Sequence, residues 1–198
     1  TTEKPDSTSI TKIKAIDSLQ ARPQGPLGSL LIGEEKLTRI ETNDLIITFS
    51  SRGGVIKEVE LKKFKTYYKK SLLLVSPSSN SFKLNATFEG KDIDLYSIFY
   101  AVDSRRKEGR NAETKVTADS TTVTFSASLA DGKSIKQVYS IPTSGYQLNY
   151  QIESSGLSES LNGEFITLLW TDKIPIQEKD IDDSRSKTTI NYYTANGE

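Results

Sequence analysis

The chain has 198 residues, and its 26 basic residues balance 26 acidic residues, so no overall field attracts or repels nucleic acid. It contains neither cysteine nor histidine, which excludes disulfides, thiolate nucleophiles, serine triads and histidine-ligated metal sites. Methionine is also absent, even at position 1, and we therefore expect a processed piece of a longer protein. The longest apolar runs have the length of a strand, so this piece is expected to be soluble.

Residues 1–38 are predicted to form a linker or tether. They are rich in Thr, Ser, Lys and Pro and poor in aromatics, which favours partial disorder. An apolar residue recurs at every third position, at Ile10, Ile13, Ile16 and Leu19. This spacing favours a short amphipathic helix within the linker. Residues 25–29, Gly-Pro-Leu-Gly-Ser, match either the remnant of a protease-cleavable expression tag or a natural linker.

Residues 44–67 contain two runs of alternating apolar residues with a glycine pair between them. This pattern predicts a β-hairpin. Gly53 and Gly54 supply the positive backbone angles that the tight turn requires. Each predicted strand has one apolar face, formed by Leu45, Ile47 and Phe49 in the first strand and by Val55, Val59 and Leu61 in the second.

The two-residue period continues through the rest of the chain. It predicts a strand at residues 82–88, a second hairpin at residues 122–141 with its turn at Asp131-Gly132, and a strand beginning at Tyr146. Residues 165–170 are predicted to form a more fully buried strand, and residues 188–194 another.

Asn196-Gly197 is a hairpin turn signal without a returning strand, so we expect the natural protein to continue. Roughly nine or ten short strands, with little helix between them, favour an all-β fold, a two-layer antiparallel sandwich over residues 39–198.

A lysine-rich loop is predicted after the first hairpin. Residues 62–70 contain five lysines interleaved with three aromatics. Such a loop can bind anionic headgroups or phosphates, or it can keep a preceding edge strand solvated. We favour the solvated loop because the chain as a whole is neutral. A second basic cluster is predicted to be a turn tip and consists of Arg105, Arg106, Lys107 and Arg110.

Four acidic residues lie close together near the C-terminus, at Glu178, Asp180, Asp182 and Asp183. A calcium loop or a pair of catalytic carboxylates would use such residues, but the glycine and the spacing of an EF-hand are missing. We therefore favour an exposed acidic connector. Trp170 is predicted to pack in the core or at its rim rather than to stack on a ligand. We predict no catalytic residue, no metal site and no cofactor.

The predicted hairpin resembles the opening of the periplasmic domain of YidC-type membrane protein insertases, with its Arg52-Gly53-Gly54 turn and its lysine-rich end. Residues 170–193 resemble a branch of that family in which an acidic, arginine-containing connector precedes a tyrosine-bearing strand. The resemblance runs from Arg39 to the end of the chain. It implies a β-supersandwich, placed between the first transmembrane helix and the membrane-embedded insertase core.

In the family, insertion resides in the transmembrane bundle, and no residue of that bundle is in this chain. No active residue is therefore carried over, and Arg52 is expected to orient the hairpin by hydrogen bonds to nearby backbone. The resemblance implies a non-catalytic role on the periplasmic side of the bacterial inner membrane. The domain would assist insertion and folding of inner-membrane proteins through contact with Sec translocon components or nascent membrane proteins.

Two other classes of function remain open. Supersandwiches also resemble sugar mutarotases and carbohydrate-binding domains, and the lack of histidine disfavours the enzymes among them. A sugar-binding module would need exposed aromatics in a groove, and the candidates are Tyr96, Tyr100, Trp170 and Tyr192. An adhesion or surface-lipoprotein sandwich is the third possibility, because fold alone does not separate these functions.

Overall fold

A computed structural model describes residues 22–103, 111–115, 119–129, 132–157, 166–173, 175–177, 179–187 and 189. Within these ranges the chain forms twelve β-strands. They are β1 Leu37–Glu41, β2 Leu45–Ser50, β3 Val55–Lys65, β4 Ser71–Val75, β5 Asn80–Phe88, β6 Lys91–Asp94, β7 Ala101–Asp103, β8 Asn111–Lys115, β9 Ser120–Ser128, β10 Ser134–Pro142, β11 Asn149–Ser155 and β12 Thr167–Asp172. A 3-10 helix spans Arg22–Leu31, and a short helix, α1, spans Ile181–Ser186. The predicted all-β class is confirmed.

The first sheet has the strand order β4-β3-β2-β1-β8. The predicted hairpin is present as β2 and β3, and Leu45, Ile47 and Phe49 of β2 are buried as their alternation predicts. Strand β8 pairs with β1 in parallel, whereas the other neighbours in this sheet pair antiparallel. We expected the lysine-rich segment to follow an edge strand. This is wrong, because β3 lies between β2 and β4.

The second sheet has the strand order β11-β10-β9-β7. The predicted hairpin of residues 122–141 is confirmed as β9 and β10, whose register pairs Gln137 with Phe125 and Tyr139 with Val123. Strand β11 begins at Asn149 rather than at Tyr146. The difference arises because Tyr146 turns toward the first sheet, where its ring centroid lies 6.3 Å from that of Phe64.

The third sheet has the strand order β12-β5-β6. Leu84, Ala86 and Phe88 of β5 are buried in the predicted alternation. The prediction that residues 165–170 form a buried strand is wrong, because every residue of β12 is exposed. Leu168 pairs with Leu84 and therefore shares its face. In the described part of the chain, however, β12 is the outer strand of its sheet and extends past the core.

A single hydrophobic core connects the three sheets. At its centre the Phe49 ring lies 5.7 Å from the Phe125 ring and 4.9 Å from the Tyr139 ring, measured between centroids. These distances are typical of favourable aromatic pairs. Phe49 and Phe125 are both fully buried. The first hairpin is therefore joined to the second hairpin by packing of their aromatic side chains.

Part of the segment predicted as linker also contacts this core. Leu27 of the 3-10 helix is buried, so residues 25–29 include a side chain that packs against the sheets. The division of the chain at residue 38 stays a prediction. Four other predictions lie outside the described residues: the amphipathic helix at residues 10–19, the turn tip at residues 105–110, the strand at residues 188–194 and the turn at Asn196-Gly197. Among the described helices, none is long and apolar enough to cross a bilayer.

Candidate functional site

The Arg52-Gly53-Gly54 turn between β2 and β3 is pressed against neighbouring parts of the domain. Gly53 and Gly54 have φ angles of 82° and 59°, in the left-handed region that favours glycine. A Cβ atom on Gly53 would lie 2.5 Å from the carbonyl oxygen of Tyr96, and one on Gly54 would lie 3.0 Å from Cβ of Phe125. The glycine pair is therefore required both by the turn and by the close approach of other atoms.

Side chains of the second sheet hold this turn by hydrogen bonds. Gln137 Nε2 donates to the Gly53 carbonyl (2.6 Å), and the Tyr139 hydroxyl donates to the Gly54 carbonyl (2.8 Å). Gln137 is fully buried, and its Oε1 accepts a hydrogen bond from the Tyr150 hydroxyl (3.0 Å). Burial raises the pKa of Tyr139 and Tyr150 above the usual range, so both hydroxyls remain protonated donors.

A cleft of about 250 Å³ opens beside the turn. Its apolar lining includes Ile56 of β3, Val75 of β4 and Phe82 of β5. The cleft therefore lies where the first and third sheets meet. Tyr96 and Arg52 line it on the side of the turn. A concave apolar surface with a few polar groups is the usual form of a ligand site in proteins.

One carboxylate in the cleft is already paired. Glu35 Oε1 accepts hydrogen bonds from Lys57 Nζ (2.7 Å) and from Ser50 Oγ (2.7 Å). Burial alone would raise the pKa of Glu35, but these two hydrogen bonds and the nearby charges lower it below its usual value. Glu35 is therefore ionised at neutral pH, and it balances the charge of Lys57.

Arg52 is a second cation at the cleft, near enough to Glu35 to help lower the pKa of that carboxylate. Its Cζ lies 5.6 Å from the centre of the Phe99 ring, within the range of a cation–π contact. Its backbone N–H donates to Ser50 Oγ (3.0 Å). Among the described residues, the guanidinium makes none of the backbone hydrogen bonds that we expected, because it lies over the ring instead. Its N–H donors can therefore be used by a ligand.

Asn80 also lines the cleft, and its amide is held in a fixed orientation. Its Oδ1 accepts hydrogen bonds from the Ser76 N–H (3.0 Å) and from Ser79 Oγ (2.9 Å), which fixes the orientation of the amide. Its Nδ2 is buried and has no hydrogen-bond partner among the residues that the structure describes. An unpaired buried donor costs about 1–3 kcal/mol.

Comparison with known proteins assigns the chain to a family. The YidC periplasmic domain family matches residues 37–196. The chain belongs to this family. A relative from Cytophaga hutchinsonii, named membrane protein insertase YidC, is 31% identical over 181 residues, which cover 91% of this chain and 28% of that protein. A relative of the same name from Amoebophilus asiaticus is 30% identical over 197 residues, which cover 99% of this chain and 32% of that protein.

The family match confirms the resemblance seen in the first hairpin and in the acidic connector. The chain is thus related to the periplasmic part of insertases, and it spans less than a third of the length of those two relatives. No comparison favours the sugar-binding module. Tyr100, one of the aromatics that such a module would expose, is instead buried and donates its hydroxyl to the Leu95 carbonyl (3.0 Å). Tyr192 lies outside the described residues.

The lysine-rich loop of this YidC-type domain is largely balanced by acidic residues. Three of its five lysines form ion pairs, Lys62 with Glu41 (2.7 Å), Lys63 with Asp44, and Lys65 with Glu60 (3.6 Å). Little free positive charge is left for an anionic surface. The three paired lysines lie in β3, so only residues 66–70 of the predicted loop are a loop. The pairs favour a solvated surface here over an anionic partner.

The aromatics of this loop remain accessible. Tyr67 and Tyr68 are 49% and 67% exposed, and their rings meet edge to face with centroids 5.1 Å apart. The backbone N–H of Tyr67 donates to the Gln177 carbonyl (3.0 Å), and Lys179 Nζ lies 5.9 Å from the centre of the Tyr67 ring. The loop therefore contacts the segment that precedes α1, and Tyr67 has a defined position on the surface.

The ion pair of Asp44 predicts a pH dependence of stability. Lys63 and the N–H of Gly145 hold the pKa of Asp44 below its usual value of 3.8, although burial opposes this. Because the pKa is lowered in the folded state, the stabilisation is present above pH 3.8 and is lost as the pH falls through the folded-state pKa. We expect Asp44→Asn to melt at a lower temperature than the wild type at pH 7, and the difference to shrink below pH 3.8.

Thermal melts followed by circular dichroism at a series of pH values measure this difference. Asp182→Asn is the matched control, because the Asp182 side chain is 90% exposed and pairs only at 3.9 Å with Arg185. We expect no difference from wild type for that control. A deficit of Asp44→Asn that stays constant down to acid pH would contradict the assignment of the stabilisation to the Asp44 charge.

The acidic connector is exposed, as predicted, where the structure describes it. Asp180 and Asp182 are both exposed, and Asp180 Oδ1 accepts a hydrogen bond from the Asp182 N–H (3.0 Å) at the start of α1. The side chains of Glu178 and Asp183 lie outside the described residues. In the described part of the chain no three acidic side chains are grouped so that they could hold a metal ion.

Trp170 does not pack in the core as predicted. It is 63% exposed and stacks on Phe82, with ring centroids 5.7 Å apart and an interplanar angle of 29°. Phe82 in turn lines the cleft. Ile166 and Leu168, which precede Trp170 at two-residue intervals, are also more than half exposed. An apolar strip on β12 therefore continues from the cleft through Phe82.

Proposed function

We propose that the protein to which this domain belongs inserts and folds inner-membrane proteins, with or without the Sec translocon, and that the domain assists from the periplasmic side. One observation carries the proposal. The family match covers residues 37–196, and the relatives that contain such a domain are named membrane protein insertases. Since the chain spans 28% and 32% of two of these relatives, the larger part of an insertase lies outside the domain.

The domain acts by binding rather than by catalysis. The sequence lacks histidine and cysteine, the usual proton-transfer and nucleophilic groups near neutral pH. The carboxylate in the cleft, Glu35, is held ionised by Lys57 and Ser50. A carboxylate of lowered pKa with two fixed partners is a poor general acid, and this supports a structural role for it.

Two accessible surfaces support contact with other proteins. The first comprises Tyr67 and Tyr68 of the lysine-rich loop. The second comprises Leu168 and Trp170 of β12 together with Ile166, which precedes this strand. Tyrosine and tryptophan are enriched in protein interfaces, because they bury a large apolar area and carry a polar group. We propose that the tyrosine loop contacts a Sec translocon component and that the cleft region contacts emerging membrane segments.

Site-specific photocrosslinking in the full-length protein tests this role. We expect a photoreactive phenylalanine analogue at Tyr67 to form adducts with Sec translocon components or nascent membrane proteins when intact membranes are irradiated. Tyr67 suits the experiment because it is half exposed, and its backbone is fixed by the hydrogen bond to Gln177. Immunoblotting and mass spectrometry of the adducts identify the partners.

The matched control carries the analogue at Glu153, an exposed position on β11 in a different sheet. Adducts at Tyr67 that are absent at Glu153 support docking through the tyrosine loop. Equal adducts at both positions indicate random collision and contradict a specific surface. If no surface position gives adducts, the domain is a passive spacer and the proposed role is wrong.

A further inference from the structure

We propose that the cleft beside the Arg52-Gly53-Gly54 turn binds an extended peptide segment that carries a large apolar side chain next to a carboxylate. This inference deepens the proposed function by naming the ligand of the cleft region, and it rests on that function only for its biological setting. The geometry of the cleft supports it in three steps, which concern its size, its net charge and the number of its cations.

The size of the cleft suits one large side chain. Its volume of about 250 Å³ lies below the range of about 300–1,000 Å³ that holds drug-sized ligands. The lining includes the rings of Phe82 and Tyr96 and the side chains of Ile56 and Val75. Aromatic and aliphatic side chains lose their contact with water in such surroundings, which favours binding. A whole helix or a folded partner is too large to enter.

The charge of the cleft selects a carboxylate. Arg52 and Lys57 face a single carboxylate in the described lining, Glu35, which is ion-paired with Lys57 (2.7 Å), so the lining keeps one net positive charge. The Phe99 ring covers one face of the guanidinium. The N–H donors at its edges stay accessible, and they fit a carboxylate in a two-pronged arrangement. A glutamate or aspartate beside the apolar side chain would meet this donor set.

The number of cations in the cleft favours a peptide over a bilayer surface. An anionic bilayer requires several free cations on one surface, because each contributes little. Here the neighbouring Lys57 is already paired. The observations therefore favour a peptide ligand.

Trp170 provides a built-in reporter of occupancy. It is the only tryptophan in the chain, and it stacks on Phe82, which lines the cleft. A ligand side chain that packs against Phe82 will change the surroundings of the Trp170 ring. Its fluorescence is therefore expected to respond to a ligand in the cleft.

The experiment uses the 198-residue chain and two fluorescein-labelled blocked peptides. One has the sequence GSLFESG and the other GSLFQSG, so they differ only in the carboxylate. Fluorescence anisotropy measures the affinities, and NMR of the side-chain amide of Asn80 locates the site. We expect the glutamate peptide to bind about tenfold more tightly, because a charge-assisted hydrogen bond contributes at least that factor.

Three variants test the assignment. Arg52→Gln is expected to remove the preference for the glutamate peptide, because it weakens the glutamate peptide more than the glutamine peptide. Lys83→Gln removes the same charge from the opposite face of β5 and is expected to keep the preference. Phe82→Ala is expected to weaken both peptides by the same factor, because it removes apolar contact alone. Circular dichroism of each variant establishes that it is folded.

Several outcomes would overturn the inference. Equal affinity of the wild type for both peptides would exclude recognition of the carboxylate. An equal loss of preference in Lys83→Gln would show a general charge effect. Cosedimentation with phosphatidylglycerol vesicles that depends on Arg52, without peptide discrimination, would assign the cleft to a membrane surface. None of these measurements depends on the insertion of membrane proteins. They therefore test the ligand of the cleft independently of the proposed function.

Discussion

We expect Gly53→Ala to lower the free energy of unfolding by about 3 kcal/mol. The left-handed φ of 82° costs an L-residue about 1–2 kcal/mol, and forcing a methyl group into packed structure adds about 1–3 kcal/mol. The new Cβ would lie 2.5 Å from the carbonyl oxygen of Tyr96, a backbone atom that cannot rotate away. Urea denaturation followed by far-UV circular dichroism measures the loss.

Gly90→Ala separates the two contributions. Gly90 has a similar φ of 74°, but no atom lies within 4 Å of the position that its Cβ would take. We expect this control to lose about 1 kcal/mol, from the backbone conformation alone. If Gly53→Ala and Gly90→Ala are equally destabilised, the close approach of Tyr96 to the turn contributes nothing, and our explanation of the glycine pair is wrong.

The second large effect is expected for Gln137→Met. Methionine has nearly the same length as glutamine, but it cannot donate to the Gly53 carbonyl or accept from the Tyr150 hydroxyl, and Gln137 is fully buried. The Tyr150 hydroxyl keeps the Tyr96 hydroxyl as a partner (3.1 Å), whereas the Gly53 carbonyl loses the Gln137 donor. Leaving a buried polar group without a partner costs about 1–3 kcal/mol, so we expect a loss of about 2 kcal/mol. The same denaturation measurement applies.

Gln151→Met is the matched control for this substitution. Gln151 lies on β11 next to Tyr150 in sequence, but its side chain is exposed. We expect a change within about 0.5 kcal/mol, as for most surface substitutions. A loss in Gln137→Met no greater than in the control would mean that the hydrogen bonds between the second sheet and the turn do not stabilise the domain.

The strands that the sequence predicted well are those with one face in the core. In β5 and β9 the apolar residues alternate strictly, and the same alternation appears in their burial. In β2 the most buried apolar residues are Leu45, Ile47 and Phe49, although Ile46 between them is also apolar. The turn at Gly53 and Gly54 was also predictable, because only one residue type suits such angles. Local pattern was sufficient here, since burial on one face is the direct physical consequence of a two-residue period.

The exposure of strand β12 could not be predicted from its apolar sequence. An apolar run does not show whether a strand lies over the core or extends past it. Leu168 pairs with the buried Leu84, yet Leu168 and Trp170 are both more than half exposed. The start of β11 was misplaced for a related reason. The alternation includes Tyr146, but its ring packs with Phe64 of another sheet. A two-residue period indicates which side chains share a face of one strand, but it does not indicate contacts between different sheets.

The cleft could not have been predicted from its residues. The sequence indicates only a turn motif at Arg52, and it does not indicate that Asn80 and Phe82 share a site with it. They come together because the first and third sheets meet beside the turn. The spare hydrogen-bonding capacity of Arg52 and Asn80 depends on which partners the fold leaves to them. That property exists only in three dimensions.

The parallel pairing of β1 with β8 has a consequence for how the domain is made. Leu37 of β1 aligns with Asn111 of β8, so two segments far apart in the chain must meet. Bringing distant segments together requires closing a long loop, which slows folding. During synthesis β1 emerges before β8. The edge of β1 that pairs with β8 therefore stays unpaired until the intervening strands and β8 have been made. The first sheet is therefore expected to reach its final form late, after the neighbouring hairpin of β2 and β3 has already formed.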